Sequence, residues 1–121
     1  MAERSLFVGF GTPVRGREAR AIEVFNEFMQ MFGRMSGDGR IESVDVTLLD
    51  SHGGDLGGFF LVQGTASQCA ALPNDQEFRK AMIDASLIVE NLGAVPGVTG
   101  EAVGPEMANY AAGVGKVAQT G

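Results

Sequence analysis

Residues 58–63 read Gly-Phe-Phe-Leu-Val-Gln, and residues 5–10 read Ser-Leu-Phe-Val-Gly-Phe. Both runs are apolar almost without interruption, which is typical of strands buried on both faces of a sheet. The earlier run closes at the turn Gly11-Thr12-Pro13, and the later one follows a glycine-rich loop. We therefore predict two strands whose opposite faces are both apolar.

Two further strands are predicted with weaker patterns. Residues 41–49 alternate, so that Val44, Val46 and Leu48 share one apolar side. Residues 95–103 are predicted as a strand that contains Pro96. Because proline lacks the N–H that a central strand donates, this strand is expected at an edge of the sheet.

Helical patterns lie between and after these strands. Apolar side chains recur at helical spacing over residues 17–35, before Ser36-Gly37-Asp38-Gly39 is expected to stop the helix. A capping box at residues 65–68 opens a short helix that Pro73 ends. Two more helices are predicted, one opening at Asn74-Asp75-Gln76-Glu77 and running to about Leu92 with Gly93 following it, and one opening at Gly104-Pro105-Glu106 and running to about Ala118.

The predicted order is β-α-β-β-α-β with an added C-terminal helix, which is the ferredoxin-like arrangement, an α+β fold with an antiparallel sheet. Residues 1–121 are expected to form one domain. The chain resembles the dimeric α+β barrel group within that fold. The resemblance rests on Leu6–Phe10 with Gly11-Thr12-Pro13, the hairpin His52-Gly53-Gly54-Asp55, the short helix containing Gln68, and the helix opening at Asn74-Asp75-Gln76-Glu77-Phe78.

What this resemblance implies is a mode of assembly more than an activity. Members of the group pack two four-stranded sheets face to face, and they include cofactor-free monooxygenases, isomerases and haem-binding proteins. The residues point the same way, because helices cover one face of such a sheet and the other apolar face needs a cover. We therefore predict a homodimer, with the alternative that the C-terminal helix folds across the sheet of a monomer.

Composition excludes several classes of function. The chain has 9 basic and 15 acidic side chains and a net charge of −6, which disfavours nucleic-acid binding. One cysteine and one histidine leave only carboxylates as metal ligands, and no calcium-loop motif is found, so we expect neither a metal nor another cofactor. Haem bound through His52 is kept as an alternative. No apolar run is long enough to span a membrane, and neither an export signal nor a second cysteine is found, which favours the cytoplasm.

Three segments are predicted to share one end of the sheet: the loop at residues 11–17, the hairpin at 51–57 and the stretch at 90–94. Thr12, Arg15 and Arg17 lie at a helix N-terminus, where a carboxylate or phosphate can bind. His52 is the one side chain suited to proton transfer near neutral pH, and Asp55 can orient it. In the alternative interpretation an arginine ties these loops together and His52 is a solvated turn residue.

The sequence leaves three functions open. The leading hypothesis is a protein that binds a small anionic or aromatic molecule between the sheets or at the sheet end, with Phe7, Phe59 and Phe60 as apolar lining. The second is a cofactor-independent monooxygenase or isomerase that uses His52 as acid and base. The third is a structural or interaction dimer without a pocket.

Overall fold

Four antiparallel strands form one sheet in the computed structural model, which describes residues 2–119. The sheet order is β2-β3-β1-β4, and every neighbouring pair is antiparallel. The two predicted apolar runs are therefore the central strands, and the strand with Pro96 is at an edge, as predicted. The strand bounds are Arg4–Phe10 for β1, Ser43–Leu48 for β2, Gly58–Gly64 for β3 and Gly93–Val98 for β4.

Within the described residues, four α-helices accompany the sheet: α1 Glu18–Asp38, α2 Ala66–Ala71, α3 Gln76–Ser86 and α4 Val103–Val114. The predicted capping box is present, because the Thr65 side chain accepts from the Gln68 N–H while the Gln68 side chain accepts from the Thr65 N–H. The α1 helix ends within the predicted stop, at its last glycine, Gly39, whose φ of 87° lies in the left-handed region that glycine adopts at little cost. This topology confirms the ferredoxin-like α+β fold.

The predicted end of the helix at Leu92 is wrong, because α3 ends at Ser86. Beyond it the backbone of residues 88–90 exchanges hydrogen bonds with the loop after β1. The Ile88 carbonyl accepts from the Val14 N–H, and the Glu90 N–H donates to the Thr12 carbonyl. These non-local bonds replace the next helical turn, and Gly93 begins a strand instead of following a helix.

The last predicted strand is also too long. The β4 strand ends at Val98, and residues 100–102 form a 3₁₀ turn in which Gly100 has a φ of 60°. The turn leads directly into α4, which starts at Val103 and ends at Val114, four residues before the predicted end. No residue of α4 is buried, so this helix does not fold across the sheet of its own chain.

The hydrophobic core lies between one face of the sheet and the helices. Leu6 and Val8 of β1 and Phe60 and Val62 of β3 point to this side and are almost fully buried. The Phe60 ring is the centre of an aromatic cluster with the α1 rings of Phe25, Phe28 and Phe32, at centroid distances of 5.5, 5.6 and 5.2 Å. Such contacts bind α1 to the sheet.

An ion-pair network joins the end of α1 to the start of α3. The Arg40 guanidinium contacts the carboxylates of Asp38, Asp75 and Glu77 at 2.8, 3.2 and 3.0 Å, and Arg34 also pairs with Glu77. The Arg34 and Arg40 hydrogen bonds lower the pKa of Glu77. Partial burial opposes ionisation of Asp75, but hydrogen bonds from the Phe78 N–H and Arg40 lower its pKa on balance.

We expect Arg40→Gln to reduce the free energy of unfolding at pH 7 by about 1 kcal/mol, near the upper end for exposed ion pairs. The carboxylates have ordinary pKa values of 3.8 and 4.5, and the folded protein lowers them. Their contribution is therefore present above these values and is lost as the pH falls through the folded values. Urea unfolding of wild type and variant should differ at pH 7 and converge toward pH 3.

The matched control is Arg79→Gln, which removes an exposed arginine of α3 for which no ion pair is found among residues 2–119. Its unfolding should match that of the wild type at both pH values. An Arg40→Gln variant whose loss of stability is as large at pH 3 as at pH 7 would contradict this account of the network.

Candidate functional site

The three segments that the topology predicts at one end of the sheet do meet there, and Gly11 is their junction. Its N–H donates to the Glu90 carbonyl at 2.7 Å, and the neighbouring Phe10 carbonyl accepts from the Gly57 N–H at 2.7 Å. A Cβ atom at residue 11 would lie 2.7 Å from the Glu90 oxygen and 2.9 Å from the Asp55 oxygen, both in the backbone. Only glycine lets the three backbones approach this closely.

A cavity of about 340 Å³ opens beside this junction, on the helix side of the sheet. Its floor is the sheet, with Val8, Phe10 and Phe60. One wall is α1, and the other is the end of α3 with the extended segment that follows it. The residues that line these walls are Ala21, Ile22, Val24, Phe25 and Phe28 on the first and Ala85, Ile88, Val89 and Leu92 on the second.

The lining of this cavity is apolar throughout. Gly11, Pro13 and Leu48 complete it, and it includes no side chain that ionises or donates a hydrogen bond. Ile22 and Leu48 remain 65% exposed, so they mark the mouth through which the cavity reaches solvent. The cavity suits an uncharged, apolar molecule. Its lining side chains provide no ligand for a metal ion and no partner for a charged cofactor.

The residues predicted to bind an anion lie on the loop beside the cavity. The side chains of Thr12, Arg15 and Arg17 are exposed. The Arg17 guanidinium donates to the Leu87 carbonyl, so it ties this loop to the segment after α3. Glu18 accepts from the Gly16 N–H at 2.9 Å and so places a carboxylate at the start of α1. The anion site stays a prediction. Arg17 already joins the loop after β1 to the segment after α3.

The predicted acid-base pair lies on the hairpin loop between β2 and β3. His52 and Asp55 are both exposed, and no hydrogen bond between them is found among residues 2–119. The His52 Nδ1 atom instead lies 3.1 Å from the Asp50 carbonyl oxygen, which is a local turn contact. Neither side chain lines the cavity. A role for His52 in proton transfer stays a prediction.

The expected lining by Phe7, Phe59 and Phe60 together is wrong, because the three rings lie on two faces of the sheet. Phe60 faces the helices and lines the cavity. Phe7 and Phe59 face the other way and contact each other with a centroid distance of 5.0 Å. The register that places Val8 opposite Phe60 and Phe7 opposite Leu61 fixes this division.

The face that carries Phe7 and Phe59 is called the open face. In the ladder registers, Phe7, Phe59, Leu61 and Val95 are its large apolar residues, and its other residues are polar or glycine. The Phe7 ring lies over Gly9, where a Cβ would come within 2.6 Å of it. The remaining residues of the open face are Ser5, Leu61, Gln63, Ser43, Asp45, Thr47, Gly93, Val95 and Gly97.

Three further findings bear on function. Among residues 2–119, no group of three or more histidine, cysteine, aspartate or glutamate side chains is placed to hold a metal ion. Within the same residues, none of the helices has the length and apolarity needed to cross a membrane. Cys69 is buried, and burial raises the pKa of its thiol, which disfavours the reactive thiolate.

Comparison with known proteins supports the fold without assigning a function. No family model matches the chain, and no curated protein matches it. The solved structures include a dimeric protein of unknown function with a ferredoxin-like fold from Bacteroides fragilis, to which the chain is similar with a TM-score of 0.59 and 11% identity. The match covers 79% of this chain and 96% of that one.

A second solved structure is a Chloroflexus aurantiacus protein provisionally described as an antibiotic biosynthesis monooxygenase. The chain is 11% identical to it with a TM-score of 0.48, and the match covers 80% of this chain and 93% of that one. The similarity to the Bacteroides fragilis structure supports the ferredoxin-like fold alone, so the function has to be argued from the site.

We expect Gly11→Ala to destabilise the fold by about 1–3 kcal/mol, because its methyl group would meet two backbone oxygens that cannot move independently. Gly33→Ala is the matched control, since nothing lies within 4 Å of a Cβ at that position in α1, and it should stabilise by about 0.5–1 kcal/mol. Urea unfolding followed by circular dichroism measures both. Equal unfolding midpoints for the two variants would contradict the role assigned to Gly11.

Proposed function

We propose that this protein binds a small, uncharged, apolar molecule in the cavity between α1, the sheet and the segment after α3. The observation that carries the proposal is a cavity of about 340 Å³ whose lining is apolar throughout. Protein interiors are normally packed without voids of this size, so such a space beside an open mouth favours a ligand.

The volume sets the size of the ligand. A closed apolar cavity of about 150 Å³ accommodates benzene. The cavity here is about twice as large, which suits a molecule of two fused aromatic rings or an aliphatic one of similar bulk. The rings of Phe10, Phe25, Phe28 and Phe60 offer faces and edges for aromatic contact.

The chemistry of the lining favours binding over turnover. A carboxylate placed inside would lose its hydration and find no donor among the lining side chains, which costs several kcal/mol. A reaction on the buried part of the ligand would likewise need a group to move a proton, and His52 lies outside the lining. We therefore favour a binding protein over the monooxygenase or isomerase alternative.

We expect naphthalene to bind in the cavity and 1-naphthoate to bind at least about tenfold more weakly, because its charge cannot be buried without a partner. Methyl NMR titration measures both affinities, with shifts expected at Val24, Ile88 and Leu92. Tighter binding of naphthoate than of naphthalene would contradict an apolar site and would favour the anion site at Thr12, Arg15 and Arg17.

A pair of variants two residues apart on α1 tests the location. Ala21 lines the cavity and is buried, whereas Ala19 is exposed. Ala21→Leu fills part of the space and should weaken naphthalene binding at least about tenfold, while Ala19→Leu should leave it unchanged. Equal affinities for the two variants would place the ligand elsewhere.

We also propose that the protein is a homodimer joined through the open face. Phe7, Phe59 and Leu61 at its centre are only half-buried, and Val95 is 56% exposed. A contiguous apolar area at the centre of a sheet is a common place for a second chain to bind. The Bacteroides fragilis protein of the same fold is dimeric, which supports this assembly.

Leu61→Arg should convert the dimer to a monomer, because it places a charge at the centre of the open face. Ile83→Arg is the matched control, since Ile83 is 59% exposed on α3, on the helix side of the molecule. Sedimentation velocity measures both states. A Leu61→Arg variant as dimeric as the control would place the interface elsewhere.

Two proposals, one about partners and one about the cellular compartment, follow from the net charge and the cysteine content. A net charge of −6 disfavours nucleic acid as a partner. Cys69 is the single cysteine of the chain and its thiol is unpaired in the structure, which fits the reducing cytoplasm.

A further inference from the structure

The α4 helix carries an apolar stripe that no other part of residues 2–119 buries. Four of its large side chains recur at intervals of four, three and four residues, and one more follows the helix after a further three. In order along the chain these residues are Val103, Met107, Tyr110, Val114 and Val117, which are 43%, 58%, 68%, 39% and 66% exposed. This spacing places the four helical side chains on one face, as in the seam of a packed helix pair, and Val117 follows in the turn after the helix.

A helix of this kind needs a partner to be stable. It has twelve residues, two of which are Gly104 and Gly113, and none of its residues is buried. Isolated helices of this length are marginal in water, and each glycine costs about 1 kcal/mol relative to alanine. Packing of the apolar stripe therefore has to supply the stability that local propensity lacks.

The charge of α4 disfavours a membrane as that partner. Within Val103–Val114 the charged residue is Glu106, and the helix has neither lysine nor arginine. Helices that lie on anionic membranes use a basic polar face, and the whole chain carries a net charge of −6. The stripe is thus suited to a protein surface.

The areas of the open face and of the apolar stripe favour a second copy of this chain as the partner of α4. Four strands about 4.8 Å apart and about six residues long give the open face an area on the order of 400 Å². A stable interface needs about 800 Å² from each partner. The apolar stripe adds a few hundred Å², so the two surfaces together reach what neither supplies alone.

Two-fold symmetry allows a single dimer interface to include both the open face and the apolar stripe of α4. In a two-fold dimer each chain presents the same surfaces to the other. The α4 helix follows the edge strand β4 directly, through residues 99–102, so it starts at the edge of the sheet, which borders the open face. We propose that α4 packs its apolar stripe against a second copy of the chain, as an arm that enlarges the interface made by the open faces.

This inference rests on the proposed homodimer, and the test separates the two. Met107→Lys combined with Tyr110→Lys places two charges on the stripe. Asn109→Lys combined with Ala112→Lys places two charges on other sides of the same helix, where both residues are exposed. Sedimentation velocity of the full chain over a range of concentrations gives the dimer Kd for each.

We expect the stripe variant to raise the Kd at least about tenfold and the control variant to leave it within about threefold. A stripe variant with the Kd of the wild type would overturn the role of α4 and leave the dimer standing. Equal weakening by both variants would also overturn it, because the stripe would then be no different from the rest of the helix. A wild type that stays monomeric would overturn the dimer and this inference together.

Hydrogen exchange of the α4 amides is a second measurement that does not depend on affinity. In the wild-type dimer the amides of residues 107–114 should exchange at least about tenfold more slowly than in the stripe variant at the same concentration. Equally fast exchange in both would show that α4 has no partner and would overturn the inference.

Discussion

Neighbouring side chains of a strand point to opposite faces, and this constraint acts on two central strands that are apolar at nearly every position. Phe59 and Phe60 are adjacent in sequence, yet one contacts Phe7 on the open face and the other contacts Phe28 beneath α1. A single layer of helices can bury one of these faces only. The core, the cavity and the open face all follow from that division.

The cavity exists because the helix layer is incomplete at one end of the sheet. Continuing α3 by two turns would bring a regular helix against α1 at this point. Instead, residues 88–90 bond to the loop after β1, and Gly11 lets that loop approach. The wall is then an extended segment held by its backbone, whose side chains Ile88, Val89 and Leu92 line a space that they do not fill.

Local patterns predicted the elements but not where non-local bonds interrupt them. The central strands, the capping box at Thr65 and the edge position of Pro96 follow from short-range chemistry, and the structure confirms them. The period that predicted a helix to Leu92 is real in the sense that Val89 and Leu92 do pack against the core. The last helical bond runs from the Val89 N–H to the Ala85 carbonyl. Beyond it the Ile88 carbonyl and the Glu90 N–H bond to residues 14 and 12, distant in sequence, and the helix does not continue.

The candidate site was harder to predict for a related reason. Polar residues such as His52 and Arg15 stand out in a sequence as candidates for chemistry. The apolar residues that line a cavity have the same sequence pattern as ordinary core residues. The signal that was available is the loop Gly11-Thr12-Pro13, which does lie at the junction beside the cavity. Nothing in the spacing of Ala21 or Ala85 shows that their small size leaves space unfilled.

The cavity mouth and the root of α4 lie at opposite ends of β1. The mouth adjoins Phe10 and Gly11, whereas β4 reaches Val98 opposite Arg4 before α4 begins. Seven extended residues place these points roughly 20 Å apart. Substitutions that reshape the walls of the cavity can therefore accumulate without disturbing the start of α4, and the two ends of the sheet are free to diverge independently among descendants of this chain.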